Sequence, residues 1–219
     1  GASVGILDAD VYGPNVPVMM GIYEKPRGSG GKLFPIEAHG IKTMSVGYMI
    51  EDGQPVMWRG PMLHRALEQF LQDVEWGDLD YLIVDMPPGT GDAQLSLSQL
   101  VPLTGMVVVT MPQEVSLTDV RRAIGMAQQV KTDVLGVIEN MSGEIFGEGG
   151  GQATAEKFHV PFLGSIPLQA GMRKGGDAGV PMVIAEPDSP ISLLFKQIAG
   201  KVAQEVSKKA AIRLPVLEV

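Results

Sequence analysis

Four short stretches of the chain are apolar at nearly every position: Val4–Leu7, Tyr81–Val84, Met106–Thr110 and Val134–Ile138. A strand with one face in water alternates apolar and polar residues, whereas a strand covered on both faces does not, so these runs predict buried strands of a parallel sheet. Between them the period changes. Leu63, Ala66, Leu67, Phe70, Leu71 and Val74 recur at i, i+3, i+4, i+7, i+8 and i+11, which puts them on one face of a helix. Leu117, Val120, Ile124 and Ala127 predict a second helix over Ser116–Val130 with Ser116 as its N-cap. A third is expected over Gln152–Phe158. The last runs from Ser189 to Arg213 on the stripe Ile191, Leu194, Phe195, Ile198, Val202 and Val206, with Pro215 as its stop.

Strands that alternate with helices imply right-handed crossovers, hence an α/β fold with a mostly parallel sheet flanked by helices on both faces. Phe162–Ile166 adds a short strand, and Gly28–Met49 is a Gly-rich excursion with a β-ribbon expected around Ile41–Val46. No internal repeat or linker interrupts the pattern, so residues 1–219 are read as one domain. Gly1-Ala2-Ser3 enters a buried strand with almost no lead, which predicts a chain that begins inside its fold. In such sheets ligands bind at the carboxyl ends of the strands, and the candidate chemistry is sought there.

Composition narrows the field. The 28 glycines and 16 prolines, with aromatics at only 5%, favour many tight loops joining regular elements. With 17 Lys and Arg against 25 Asp and Glu, the net charge is −8, which disfavours a broad nucleic-acid surface. No apolar run reaches the ~20 residues that span a bilayer, and no signal peptide opens the sequence, so a soluble cytoplasmic protein is expected. The 219 residues include no cysteine, and therefore no disulfide and no thiolate ligand. The three histidines, His39, His64 and His159, have no ligand spacing, and the 13 methionines are read as packing.

Two strand ends carry acids. The first strand ends in Asp8-Ala9-Asp10, followed by Val11-Tyr12-Gly13-Pro14. Carboxylates so placed suit a hydrated Mg²⁺ or an oriented water, although Asp8 as a strand cap and Asp10 as the opening of a turn explain them equally. The second strand delivers Asp85 into Met86-Pro87-Pro88-Gly89-Thr90-Gly91-Asp92, the arrangement of a Walker B strand, in which the acid stands beside the metal-bound waters of a nucleoside triphosphate. Among the weaker candidates, Arg59 at a helix entry and the basic loop Arg173-Lys174 suit an anion or a partner subunit, and Gly147–Gly151 is read as a hinge before a helix.

Asp8–Pro14 (DADVYGP), Trp58–Pro61 (WRGP), Asp80–Asp92 (DYLIVDMPPGTGD), Gln113–Arg121 (QEVSLTDVR), Gly136–Ser142 (GVIENMS), Phe146–Gly151 (FGEGGG) and Gly175–Gly179 (GGDAG) together resemble the Mrp/ApbC-type ATPases of the deviant-Walker, MinD/ParA-like P-loop class. The stretches occur in that family's order and cover nearly the whole chain. The resemblance implies an ATP-binding and ATP-hydrolysing iron–sulfur cluster carrier, a homodimer that uses Mg²⁺ and serves recipient apoproteins, with neither nucleic acid nor membrane as partner. It implies that Asp10 orients the attacking water, Asp8 supports the Mg²⁺ shell, Asp85 is the Walker B acid, and Pro87–Asp92, with Gly89, is a switch loop. Asn140 is then the amide that reads the adenine edge, and Pro167 and Leu168 pack against the base. An Asn amide offers both a donor and an acceptor for that task, and its competing role is to cap the turn before Ser142.

The sequence departs from this family twice. The first strand and Gly-Lys-Ser/Thr phosphate loop, expected upstream of Asp8, do not occur in the 219 residues, which leaves no amide cradle for phosphate. The Cys-x-x-Cys pair that would hold a [4Fe–4S] cluster is also missing, because Asn140-Met141-Ser142-Gly143 passes almost directly to Phe146. These departures keep two other functions in play: a nucleotide-binding scaffold without catalysis or cluster, and a ParA/MinD-like positioning ATPase.

Overall fold

A computed structural model describes residues 1–50, 60–89 and 92–213 of the chain. The described residues fall into two compact units, Gly1–Leu100 with Gly171–Ala185, and Val101–Ala170 with Glu186–Val219.

In the first unit the elements are β1 (Val4–Asp8), α1 (Val16–Met19), β2 (Gly28–Ser29), β3 (Lys32–Leu33), β4 (Ile36–Ala38), β5 (Ile41–Ser45), α2 (Gly60–Gln72), β6 (Tyr81–Asp85) and α3 (Asp92–Leu100). Strand β1 lies between β5 and β6, parallel to both, and β4 closes the far side antiparallel to β5, giving the order β4-β5-β1-β6. The expected ribbon is therefore displaced. Residues 41–45 join the main sheet, where Thr43, Met44 and Ser45 are buried, and the hairpin forms earlier, between β2 and β3 across Gly30-Gly31. The glycines explain it, because both take positive φ in that turn. The predicted apolar face of α2 is realised as Leu63, Leu67 and Phe70, which pack with Leu7, Met44 and Val46. The Trp76 indole donates to the Phe70 carbonyl near the helix end (3.0 Å).

The segment carrying α6 (Ala170–Asp177) and α7 (Met182–Ala185) returns to this unit. Gly179 packs on Gly21 so closely that a Cβ at 179 would stand 2.4 Å from the Gly21 Cα. His39 Nε2 lies 3.2 Å from the Gly179 carbonyl, to which its N–H tautomer donates. Arg173 and Lys174, expected in a loop, instead belong to α6, where Arg173 pairs with Asp177 one turn away (2.6 Å).

The second unit holds β7 (Met106–Thr110), α4 (Glu114–Gln129), β8 (Val134–Ser142), α5 (Gly150–Phe158), β9 (Phe162–Pro167) and α8 (Pro190–Arg213). Its three strands are all parallel, in the order β7-β8-β9. Val108 and Val137 pack with Val120 and Ile124 of α4 and Ala155 of α5. Side chains alternate along a strand, so Ile138 and its partner Gly164 face the other way, and there Ile198 of α8 fills the space above Gly164. Helices thus cover both faces of this sheet.

Two details differ from expectation. Helix α4 begins at Glu114, with Gln113 rather than Ser116 at its cap position and no side-chain capping bond. Strands β6 and β7 are less covered than their sequences imply, with Ile83 48% and Val109 58% exposed. Each is the outermost strand of its sheet among the described residues, and an apolar run by itself does not reveal how many neighbours a strand has.

Candidate functional site

Parallel pairing sets the first group of residues. The register aligns Asp8 with Ser45 on one side and with Asp85 on the other, so three adjacent strands end level with one another at their carboxyl ends. A slip of one residue would turn these side chains to the opposite face, so the apolar residues before them fix where the acids point. Asp8 is 0% exposed. Its Oδ2 accepts from Ser45 Oγ (2.8 Å) and from the Val16 N–H (3.3 Å), and its Oδ1 from the Asp10 N–H (3.2 Å). Burial raises its pKa from 3.8 to about 6, against the lowering effect of these bonds and with a further push from the charge of Asp85.

Asp10 Oδ1 accepts from the N–H groups of Tyr12 (2.9 Å) and Gly13 (3.2 Å) and so shapes the turn after β1. The turn-forming role does not displace the electrostatic one. Partial desolvation, then the negative charge of Asp10, holds the Asp85 carboxyl above the usual carboxylate range. Asp8, Asp10 and Asp85 therefore share one rim, and no salt bridge among the described residues neutralises any of them. Hard carboxylate oxygens around an uncompensated negative rim suit a hydrated divalent cation. Among the described residues, no group of three or more His, Cys, Asp or Glu is arranged to hold a metal ion. Ser45 is the member of this rim that the sequence did not single out.

The loop after β6 is held from α3. Gln94 Nε2 donates to the carbonyls of Pro87 (2.8 Å) and Gly89 (3.0 Å). Gly89 has φ +93°, and open space lies where a Cβ would point. Trp58 and Arg59, and Thr90 and Gly91 of the switch loop, lie outside the described residues.

In the second unit Asn140 lies near the end of β8, and Pro167 and Leu168 at the end of the neighbouring β9. Strand β8 bulges at Met141, which has φ +57°, while Asn140 pairs with Ile166 and Ser142 with Pro167. The Leu168 N–H then donates to the Ser142 carbonyl (3.0 Å). Such a bulge re-aims the side chains beside it. Asn140 Oδ1 accepts from the Met141 N–H (2.9 Å), an arrangement that orients the amide. Beyond Ser142 the chain closes at once, because Gly143 and Gly147 exchange two backbone hydrogen bonds (2.9 and 2.7 Å) around the tip Glu144-Ile145-Phe146. This is where the sequence lacks its cysteine pair, and no residue of the tip replaces a thiolate. Gly150 and Gly151, read from sequence as part of a hinge, form the first turn of α5.

The family model for ParA, described as NUBPL iron-transfer P-loop NTPase, matches residues 1–203. An iron-sulfur cluster carrier protein of Synechocystis is 50% identical over 93% of this chain and 63% of its own length. That of Escherichia coli K12 is 46% identical over 94% of the chain and 59% of its own length, and that of Methanocaldococcus jannaschii 45% identical over 95% and 76%. The chain thus spans less than two-thirds of the length of the first two relatives. Among solved structures, a nucleotide-binding protein of Archaeoglobus fulgidus in complex with ADP matches with TM-score 0.72 and 36% identity, over 88% of this chain and 79% of that one. The cell-division ATPase MinD of Pyrococcus furiosus matches in fold, with TM-score 0.71 at 19% identity over 93% and 86%. On the match over residues 1–203, the chain belongs to the ParA family as an NUBPL-type iron-transfer P-loop NTPase.

Proposed function

We propose that these residues form the nucleotide-switch body of an ATP-hydrolysing iron–sulfur cluster carrier. The observation that carries the reading is the level alignment of Asp8 and Asp85 on adjacent parallel strands, with Asp10 beside them and no salt bridge to any of the three among the described residues. In this reading Asp85 and Asp8 hold the water shell of Mg²⁺, Asp10 orients the attacking water, and the open backbone at Gly89 follows the γ-phosphate. Mg²⁺, when bound, supplies charge neutralisation at the transferring phosphoryl group. Asn140 reads the adenine edge, with Pro167 and Leu168 against the ring. The 219 residues are one NTPase-type domain in this reading, and the protein works as a homodimer that delivers clusters to apoproteins.

Two limits on chemistry follow from the sequence. No Gly-Lys-Ser/Thr segment occurs, so hydrolysis is assigned to a protein that also carries a phosphate loop. The cluster is cargo, and with no cysteine in the 219 residues none of its thiolate ligands comes from here. That count, with the closed turn at Gly143 and Gly147, supports a second reading as a nucleotide-responsive scaffold that holds no cluster itself. In the full-length protein, Asp85→Ala should abolish Mg²⁺-dependent ATP hydrolysis while leaving the circular dichroism spectrum intact, and undiminished turnover would refute the site. Iron content after anaerobic reconstitution separates carrier from scaffold.

A further inference from the structure

One buried carboxyl group has no part in the chemistry above. Glu139, which precedes Asn140 on β8, is 1% exposed, and all its partners are neutral donors. Its Oε1 accepts from the Gly149 N–H (3.0 Å) and Ser165 Oγ (3.1 Å), and its Oε2 from the Gly151 N–H (2.7 Å). Burying a carboxylate is costly unless its oxygens are satisfied, and here three donors and the positive end of α5 do so. The bonds have a geometric consequence. They tie β8 to the first turn of α5 and to β9 at Ser165, two residues before Pro167. Asn140 follows Glu139 directly, and the bulge at Met141 takes a left-handed φ that residues with side chains rarely adopt. A bulge of that kind needs fixed surroundings to keep its neighbour's side chain aimed.

We propose that Glu139 is a positioning residue for selection of the nucleotide base: its carboxylate pins β9 and α5 around the end of β8, and so holds the Asn140 amide and the Pro167-Leu168 pair at a fixed spacing. The inference rests on the reading of Asn140 as the base-recognition residue. Adenine presents an N7 acceptor beside an N6 donor, which an amide matches with its own donor and acceptor, whereas guanine presents two acceptors at those positions. Discrimination therefore depends on the amide staying put. The pair of acceptor oxygens is specific to the task, because glutamine at 139 has one acceptor oxygen for three donors and would turn an NH₂ group against an N–H.

The test is the ratio of ATP to GTP affinity, measured with Mg²⁺ by isothermal titration on the full-length protein. A ratio taken on one preparation cancels any difference in the fraction folded. Asn140→Ala should lower the ratio by about tenfold or more, Glu139→Gln by about tenfold, and Ser165→Ala, which removes one bond of three, by about threefold, the scale expected for a bidentate base contact. Loss of affinity for both nucleotides in Glu139→Gln with an unchanged ratio means that the carboxylate is only structural, and overturns the inference. Should Glu139→Gln fail to fold, Ser165→Ala decides by the same ratio, and a wild-type value there overturns the inference. A wild-type ratio in Asn140→Ala overturns the base-recognition reading itself, and the inference with it.

Discussion

Asp8 offers the sharpest test, because its burial makes the fold pay for the site in a way that pH can read. In the unfolded chain its carboxyl titrates near 3.8, and in the folded chain near 6. Below the lower value both states are protonated. Between the two the folded state keeps a proton that the unfolded state has released, and above the upper value both are ionised and the folded state carries the full cost. Asp8 therefore destabilises the first unit progressively as pH rises toward and through 6. The shift corresponds to about 3 kcal/mol at most, and to about 2 kcal/mol between pH 4.5 and 7.5, less what water at the rim screens. Asp8→Asn removes the titration. It also sets an NH₂ group against one of the N–H or O–H donors, a loss of about 1 kcal/mol. Urea unfolding followed by tryptophan fluorescence reports on this unit through Trp76, which is buried in its core. Subtracting the two profiles cancels the carboxylates that do not interact with Asp8. The stability of Asp8→Asn relative to wild type should rise by about 2 kcal/mol from pH 4.5 to 7.5. Parallel profiles would refute the assignment of a buried, strained carboxylate at position 8.

Backbone packing yields two further expectations. Gly179→Ala brings a Cβ to 2.4 Å from the Gly21 Cα at φ +70°, and should cost about 2–4 kcal/mol in the same unfolding assay, whereas Gly30→Ala, with φ +61° but open space, should cost about 1 kcal/mol; equal losses would show that the segment 171–185 is not seated on the loop at Gly21. In the second unit Gly125→Ala, in the middle of α4 with nothing within 4 Å, should stabilise by about 0.5–1 kcal/mol, and Gly150→Ala, whose Cβ would stand 2.2 Å from the Pro112 carbonyl, should destabilise; circular dichroism during urea unfolding distinguishes the two signs.

The strands and the long helices were legible because burial imposes a period. Four apolar runs became β1, β6, β7 and β8, and the 3.6-residue stripes became α2, α4 and α8. What escaped was set by tertiary context. Helix α3 carries Ser96, Ser98 and three glutamines or aspartates among nine residues, and α6 contains two adjacent glycines, so neither shows a clean stripe. Strand β5 reads as a ribbon because Lys42 and Thr43 break its apolar run, yet Thr43 is buried with its hydroxyl on the Ile36 carbonyl (2.9 Å) and on the Tyr48 hydroxyl (2.7 Å). Among the candidate site residues, acids at strand ends were readable because position along a strand is set by the residues before it. Ser45 and Glu139 were not. A serine after a strand is unremarkable until a parallel partner brings Asp8 beside it, and a glutamate inside an apolar run looks solvated until a helix start is found pointing at it. Both are visible only once register is known.

Two buried carboxylates of this chain, Asp8 and Glu139, differ in what surrounds them. Glu139 is surrounded by three donors, two from the start of α5 and one from β9, and nothing about it calls for an external cation. Asp8 also accepts three hydrogen bonds, yet it faces Asp85 across one strand spacing, and Asp85 in turn feels Asp10. Hydrogen bonds can satisfy the oxygens of one carboxylate, but they do not remove the mutual repulsion of three. A fold gains nothing by gathering like charges at one rim, since apolar or amide residues of the same size would pack there without that cost. The arrangement is intelligible if a cation bound between the acids returns the energy that their proximity costs, in which case the repulsion becomes differential affinity for that cation. On the function proposed above, the acids at the ends of β1 and β6 are assigned to binding, whereas the hydrogen bonds of the acid within β8 tie it to its neighbouring elements.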